Sequence, residues 1–308
     1  MSRENHCGEN RYTGSSVTVR ALAKINLYLH VVGRRADGYH ELESLFVFTR
    51  NGDEITVRPS EKLTLQISGP FSTDLLSEGG ADENNLVLRA ARALALAGDI
   101  KPGASLELVK NLPIASGIGG GSADAAATLL ALNSFWGLNL SLVALSKIAL
   151  TLGADVPACL HQTPLFVSGI GEIIEPVSLF DAFNIVLVNP GAKLSTPVVF
   201  DAFHIETDGH FLPKMGFQYQ SGQKLGPWLK DHTSNSLQAP AVSLCPDIAD
   251  ALNLLETCDG AQLVRMSGSG ATCFALFDDP ADAEKARQSL ESARPDWWVF
   301  KDSIQVVR

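Results

Sequence analysis

Apolar side chains occupy every odd position from residue 17 to residue 31. This period-two pattern predicts a long β-strand whose odd face is buried. The even face carries Arg20, Lys24, Asn26, Tyr28 and His30. Because Lys24 and Asn26 are two positions apart, they are predicted to point to the same side of the strand.

Strand and helix patterns continue through the first half of the chain. A turn signal at Asp37-Gly38 precedes strand patterns at 41–49, 53–59 and 62–68, and another strand is predicted at 104–110. Helices are predicted at 82–98, with Asn84 or Asn85 as the N-cap and Gly98 at the end, at 123–132, with Ser122 as the N-cap, and at 142–153.

The second half shows a similar mixture. Strands are predicted at 163–169, 171–177, 183–191, 262–266, 272–277 and 297–301, and helices near 247–256 and 280–293. Residues 204–235 are rich in Gly, Gln and His, which predicts an irregular, exposed insertion. The order of elements favours two α+β domains over a single doubly wound sheet.

The composition is that of a globular protein, because 45% of the 308 residues are hydrophobic and 19% are charged. A net charge of −10 without a long basic run argues against sequence-independent nucleic-acid binding. No apolar stretch approaches the ~18 residues that span a bilayer. Residues 1–16 predict a disordered extension and not a signal peptide. Five cysteines without CxxC spacing favour a reduced, cytoplasmic setting.

The stretch "GIGGGSADAAA" places four glycines within five positions, directly before an alanine-rich run. It has no lysine, so it is not a Walker A loop. A dinucleotide fingerprint needs an acidic residue about 20 positions on, and none occurs between Asp124 and Asp155. Two interpretations stay open: a tight strand-to-helix connection, or another loop whose N–H groups bind a triphosphate. The donors would then be Gly119, Gly120, Gly121, Ser122 and Ala123.

Four stretches resemble motifs of the GHMP kinases, which include galactose, homoserine, mevalonate and phosphomevalonate kinases. "PIASGIGGGSADAAATL" is similar to their phosphate loop, and "AKINLYLHVVGRRADGYHELESLF" to an opening motif. "LGADVPACL" resembles the catalytic aspartate segment, and "MSGSGATCFALF" resembles the C-terminal glycine motif. The resemblance covers residues 17–308, and "GRRADGYHEL" favours members whose substrate carries a cytidine diphosphate group.

The resemblance implies a two-domain α+β fold with the active site in the cleft between the domains. The N-terminal domain, at 17–165, would be like ribosomal protein S5 domain 2, and the C-terminal domain, at 166–308, ferredoxin-like. The implied reaction is phosphoryl transfer from ATP, with Mg²⁺, to an alcohol group of a small molecule. A homoserine or mevalonate kinase and a non-catalytic nucleotide-binding protein are the alternatives. A monomer or weak homodimer is expected, without nucleic-acid or membrane partners.

Asp155 and Lys24 are the catalytic residues that the resemblance implies. Asp155 would be the general base that takes the proton of the substrate hydroxyl; the alternative is an N-cap for a helix beginning at Val156. Lys24 would keep Asp155 ionised and polarise the hydroxyl. The alternative for Lys24 is a surface lysine on an exposed strand face.

Further ligand contacts are implied on both sides of the site. Tyr39 would stack on a cytosine ring and His40 would hydrogen-bond its edge, and Asn26 and Thr196 also belong to the substrate side. On the ATP side the predicted contacts are Lys110, Pro113, Gly117, Gly119, Gly120, Gly121, Ser122 and Ala123. For Lys110 an exposed strand end is the alternative. The seven histidines lack metal-ligand spacing, so no structural metal is predicted. At 235–238, "NSLQ" lacks the acidic residues of the family's segment, and no role is assigned there.

Overall fold

A computed structural model describes residues 16–77, 79, 82–179, 182–207 and 210–304. The disordered extension predicted for 1–16 lies outside the described residues, apart from Ser16. Among the described helices, none is long and apolar enough to cross a membrane.

The first half of the chain builds a six-stranded sheet. Its strand order is β3-β4-β2-β5-β6, and β1 pairs antiparallel along β2. The strands are β1 (Val17–Arg34), β2 (His40–Arg58), β3 (Leu63–Ser68), β4 (Ala104–Val109), β5 (Leu165–Gly169) and β6 (Ile173–Pro176). The helices are α1 (Ser72–Ser77), α2 (Leu86–Ala97), α3 (Gly120–Phe135), α4 (Leu142–Leu150) and α5 (Val156–His161).

The second half builds a four-stranded antiparallel sheet in the order β10-β7-β9-β8. The strands are β7 (Asn184–Asn189), β8 (Ala261–Met266), β9 (Cys273–Phe277) and β10 (Trp298–Ser303). The helices are α6 (Thr196–Thr207), α7 (Leu225–His232), α8 (Gln238–Leu244), α9 (Asp247–Glu256) and α10 (Pro280–Ala293). This half has the ferredoxin-like order of elements: β7 and the helices that follow it, then the paired strands β8 and β9, then α10 and β10. The predicted α+β fold class is therefore confirmed.

Both β5 and β6 belong to the first sheet. β5 pairs with β2, and β6 pairs with β5. The first sheet therefore continues to Pro176, past the domain boundary predicted at residue 165, because neither strand pairs with β7.

Strand β1 departs from its predicted one-sided burial. Both faces are buried from Ala21 to Val31. The register also shifts between Asn26 and Tyr28, which pair with the adjacent residues Phe46 and Leu45. One extra residue in a strand exchanges its faces. Beyond the bulge, Tyr28 and His30 contact the 215–234 segment instead of sharing the side of Lys24 and Asn26.

Three other predictions are corrected by long-range contacts. The patterns at 41–49 and 53–59 form one strand, β2, because Asp302 accepts the N–H groups of Arg50 and Asn51 between them. Helix α3 begins three residues earlier than predicted, after Gly119 in the left-handed conformation, so Ser122 lies in its first turn and is not the cap. The exposed insertion predicted at 204–235 is corrected in its second part, because α7 forms there and its Trp228 is buried against the sheets, whereas most of 210–224 is irregular and exposed.

His30, on β1, is a buried, neutral base that faces the segment before α8. Its Nε2 accepts the N–H of Ser234 at 3.0 Å, so the ring hydrogen is assigned to Nδ1, which has no partner among the described residues. Burial and then the nearby Arg265 lower the pKa of His30, against a smaller opposing effect of Glu43. The unfolded chain therefore binds more protons than the folded one below the ordinary histidine pKa of about 6.5.

Stability is expected to fall as the pH falls from 7.5 to 5.5, and His30→Gln should lessen that loss. Glutamine still accepts the Ser234 N–H but does not titrate. The melting temperature of the variant should drop by about 2–4 °C less than that of the wild type over this range. His40 and His161, whose pKa values burial also lowers, stay in both proteins and cancel. Parallel melting-temperature profiles would contradict the assignment.

Candidate active site

A cleft with a cavity of about 660 Å³ lies between the two halves of the chain. That volume is typical of small-molecule sites. The first half contributes the centre of β1 and β2, the glycine loop, the residues before α5 and the β5–β6 turn. The second half contributes the start of α6 and the turn between β8 and β9. The lining side chains that can donate, accept or carry charge are Lys24, Asn26, Ser44, Ser116, Ser122, Asp155, Ser195, Thr196 and Ser269.

An ion pair between Lys24 and Asp155 lies in this cleft. Lys24 Nζ donates to Asp155 Oδ2 at 2.9 Å and to Asn26 Oδ1 at 3.0 Å, and it lies 4.4 Å from the centre of the Phe46 ring. The Lys24 side chain is 6% exposed and that of Asp155 is 36% exposed. One partner is thus fixed inside the protein while the other presents its carboxylate to the cavity.

Asp155 is the residue before α5, but its carboxylate does not cap the helix. Its backbone is already helical (φ −81°, ψ −15°), and the side chain makes no capping hydrogen bond. Pro157 lies in the first turn, where one N–H donor fewer needs a partner. The carboxylate is therefore directed to Lys24, 131 positions away in the chain.

The glycine loop ends in helix α3 at the wall of the cavity. The first bond inside the helix runs from the Ala123 N–H to the Gly119 carbonyl at 2.8 Å. The N–H groups of Gly120, Gly121 and Ser122 precede that bond, and these residues line the cavity. Ala123, predicted as a donor to phosphate, has its N–H in the helix and is buried.

Gly119 has a role beyond the left-handed backbone (φ +66°) that starts the helix. A Cβ at this position would lie 3.1 Å from Cε and 3.2 Å from Cβ of Lys24. The absence of a side chain lets Lys24 pass directly over the loop. A lysine from β1 therefore lies against the loop, which has none of its own.

The turn between β8 and β9 packs directly on the glycine loop. Ser267 Oγ donates to the Gly117 carbonyl and accepts the Asn26 N–H, both at 3.1 Å. The Thr272 N–H donates to the Ser116 carbonyl at 3.2 Å. These bonds join the two glycine motifs and β1 into one unit.

Asn26 and Thr196, both predicted on the substrate side, line the same cavity. Asn26 Nδ2 donates to Ser44 Oγ at 2.9 Å, which leaves Oδ1 for Lys24 and fixes the orientation of the amide. The hydroxyls of Thr196 and Ser269 are hydrogen-bonded at 2.8 Å. That bond links the start of α6 to the β8–β9 turn.

His40 and Tyr39 lie in an adjoining cavity of about 340 Å³, which shares Phe200, Thr196 and other lining residues with the cleft. The His40 ring stacks on Phe200, with 4.9 Å between ring centres. Its Nε2 is buried and has no hydrogen-bond partner among the described residues. Burial first, then Arg34 and His204, lower the pKa of His40, which favours the neutral ring. Tyr39 is 62% exposed at the rim.

Besides Ala123, two residues predicted on the ATP side do not line the cavity. Lys110 is buried between Asp53 and Asp124, and Pro113 is buried behind the loop. Direct contact of the Lys110 ammonium with a nucleotide does not fit this geometry. The alternative, an exposed strand end, is also wrong, because the ammonium is buried and bonded to two carboxylates that are distant in the sequence.

Sequence reasoning missed Phe200, Ser267 and Asn235. Phe200 ends the stretch "STPVVF", and an aromatic residue near a predicted ligand contact was the available signal. Asn235 opens the unassigned "NSLQ" stretch; its Nδ2 donates to the carbonyls of Met266 and Gly268, each at 2.8 Å. This segment therefore holds the β8–β9 turn in place, and an amide donor suits two carbonyl acceptors.

Comparisons with known proteins agree with this architecture. The GHMP kinases N terminal domain matches residues 85–163, and the family described as GHMP kinases C terminal matches residues 217–296. The chain is 46% identical to a 4-diphosphocytidyl-2-C-methyl-D-erythritol kinase of Rhizobium meliloti, over 93% of this chain and 94% of that protein. It is 47% identical to the protein of that name from Paracoccus denitrificans, over 92% and 95%.

Solved structures give the same comparison in three dimensions. A crystal structure of 4-(cytidine 5'-diphospho)-2C-methyl-D-erythritol kinase superposes with a TM-score of 0.77 at 32% identity, covering 94% of this chain and 100% of that one. A homoserine kinase from Cytophaga hutchinsonii superposes with a TM-score of 0.67 at 20% identity, covering 97% of both chains. The second likeness shows a common fold alone.

Proposed function

Because this chain belongs to the GHMP kinase family, we propose that it transfers the terminal phosphate of ATP to the 2-hydroxyl of 4-diphosphocytidyl-2-C-methyl-D-erythritol, a step in isoprenoid precursor synthesis. The observation that carries the proposal is the Lys24–Asp155 pair, which faces the open N–H groups of α3 in a cleft continuous with the His40 slot. A cytoplasmic location and a monomeric or weakly dimeric state stay predictions.

Asp155 and Lys24 divide the chemistry of the acceptor hydroxyl. Asp155, with its carboxylate in the cavity, takes the proton as the hydroxyl oxygen attacks the terminal phosphorus. The Lys24 ammonium stabilises the ionised Asp155 carboxylate and the negative charge that develops on the attacking oxygen of the substrate. Asn26 holds the lysine between itself and Asp155, so the ammonium stays in position through the reaction.

The first turn of α3 supports binding of the ATP phosphates. Gly120, Gly121 and Ser122 offer N–H groups at the positive end of the helix dipole. Among the described residues, Asp155 has the one carboxylate that lines the cavity, and this carboxylate is paired with Lys24. Mg²⁺ therefore fits as an ion held mainly by the phosphates, where it would neutralise their charge. Positioning and charge neutralisation are the main requirements of phosphoryl transfer.

The adjoining cavity supports recognition of the cytosine ring. Phe200 and the exposed Tyr39 supply flat surfaces, and His40, whose buried Nε2 has no partner among the described residues, supplies a polar group that a turn of its ring would bring to the edge of a base. Stacking accepts any base, whereas a buried polar atom left without a partner rejects the wrong one. His40 is thus the residue on which the choice of cytidine rests.

The decisive experiment measures ATP consumption with the cytidyl substrate beside homoserine, mevalonate and galactose. Turnover confined to the cytidyl compound supports the proposal. Turnover confined to another alcohol assigns the chain to a different kinase of the family. Protection against thermal unfolding by cytidine diphosphate, compared with uridine diphosphate, tests the base slot without turnover.

His40→Ala is expected to raise KM for the cytidyl substrate by about tenfold to a hundredfold, because a buried hydrogen bond to the base is lost. KM for ATP should stay within about twofold. His161→Ala is the matched control, because His161 lies on α5 and lines neither cavity. A larger rise in KM for ATP than for the cytidyl substrate would place His40 in the nucleotide site and refute the assignment of the slot.

A further inference from the structure

Three ionisable side chains meet in the core directly behind the glycine loop, and burial raises the pKa of one of them, Asp124. Lys110 Nζ donates to Asp53 Oδ2 at 2.5 Å and to Asp124 Oδ2 at 2.8 Å. The side chains are 2%, 0% and 5% exposed, respectively. They come from the end of β4, from β2 and from α3, so the cluster joins three elements of the first half.

The cluster is built to hold the charge of Lys110 in one place. Asp53 Oδ1 accepts the N–H groups of Asn111 and Leu112, so the carboxylate is fixed independently of the lysine. Burial lowers the pKa of Lys110, whereas the carboxylates of Asp124 and Asp53 raise it. The net effect is a raised pKa, which keeps the ammonium charged. Buried ion clusters of this kind are often no more stable than apolar side chains of the same volume. Stability alone is therefore a weak reason for three ionisable side chains here.

The position of the ammonium relative to the loop supplies another reason. A Cβ built on Gly120 would lie 3.1 Å from Lys110 Nζ and 3.9 Å from Asp53 Oδ2. The charge thus lies immediately behind the first residue of α3, whose other side lines the cavity. Asp124, one turn further along α3, is the point at which Lys110 holds the helix itself.

We propose that Asp53, Lys110 and Asp124 position the ATP site: Lys110 fixes the first turn of α3 behind Gly120, so that its N–H groups point at the phosphates, without touching the nucleotide. The inference rests on the proposed function, because it takes the loop as the phosphate site. This role would explain why Lys110 is buried next to a glycine loop that contains no lysine of its own. It also explains why residue 120 has no side chain, since a larger residue would displace the ammonium.

The test removes Lys110 and Asp124 together; because Asp53 Oδ2 then also loses its ammonium partner, a second variant adds Asp53→Asn, whose Oδ1 still accepts the Asn111 and Leu112 N–H groups. Lys110→Met alone strands Asp124, so the decisive variant is Lys110→Met with Asp124→Leu, which replaces a buried ion pair by apolar groups and leaves Asp53 with its two backbone donors. Leu290→Ala, in the core beneath α10, is the control for general destabilisation. The dissociation constants of Mg-ATP and of the cytidyl substrate are measured by titration calorimetry, with melting curves and KM values alongside.

The double variant is expected to bind Mg-ATP about tenfold more weakly, with binding of the cytidyl substrate within about threefold of wild type. Leu290→Ala should melt earlier and bind both ligands normally. A folded double variant whose ATP affinity stays within about threefold of wild type, or falls no more than its affinity for the cytidyl substrate, overturns the proposal. Calorimetry with ATP needs no turnover, so a wrong acceptor substrate would not be mistaken for this failure.

Discussion

Asp155→Asn is expected to lower kcat by about 10²–10⁴, the usual contribution of a positioned general base. Asparagine has nearly the same shape and its oxygen can still accept from Lys24, so binding of both substrates should change little. Folding should also be kept, because the Asp155 side chain does not cap α5. Steady-state kinetics with melting curves measure both expectations.

Three further variants, Lys24→Met, its combination with Asp155→Asn, and Asp279→Asn, separate catalysis from loss of a charge. Lys24→Met should also lower kcat, and the double variant should lose less than the product of the single losses, because the pair acts as a unit. Asp279→Asn makes the same chemical change at the N-cap of α10, where asparagine also caps, and should leave kcat unchanged. A folded Asp155→Asn enzyme within about threefold of wild-type kcat would remove Asp155 from the chemistry.

Gly117→Ala is expected to reduce kcat/KM for ATP by about a hundredfold or more, since displacements near 1 Å in an active site have effects of that size. Gly117 has φ +75°, and a Cβ there would lie 2.6 Å from the Ser267 carbonyl and 2.7 Å from the Gly270 carbonyl. Both obstacles are backbone atoms, so relief requires the two glycine motifs to move apart. Because Ser267 is hydrogen-bonded to both Asn26 and Gly117, such a movement would displace Asn26 and the glycine loop.

Gly137→Ala is the matched control for this variant. Gly137 has φ +65°, but its Cβ would meet nothing within 4 Å. It should therefore share the backbone strain, about 1 kcal/mol of stability, without the collision. Equal kinetics in the two alanine variants would show that strain, and not loop packing, determines any loss.

Local signals in the sequence were sufficient for the elements that depend on near neighbours. The N-cap at Asn85, which accepts the Val87 N–H, and helices α9 and α10 follow from spacing and cap residues alone. Motif resemblance also selected Lys24 and Asp155, whose contact across 131 positions no local pattern predicts. The structure brings that pair together in the cleft.

The sequence could not predict features that depend on a distant partner. The bulge beside Asn26 depends on how β1 pairs with β2, which is distant in the sequence. It turns Tyr28 and His30 away from the site. The burial of Lys110 depends on Asp53, 57 positions earlier. Burial of Trp228 likewise depends on a surface that both sheets build. In each case the side chain's own neighbours in sequence carry no trace of the contact.

Among the described residues the apolar core is continuous across the cleft, which opposes rotation of one half against the other. Side chains of β1, such as Ile25, share one apolar cluster with β7 and β9, and Arg265 donates from β8 to the Leu27 carbonyl at 2.9 Å. Rotating one half against the other would expose that cluster to water, unlike the small polar interfaces about which domains usually turn. We therefore expect entry and exit of ligands to depend on movements at the rim, where Tyr39 is exposed, more than on a change in the width of the cleft.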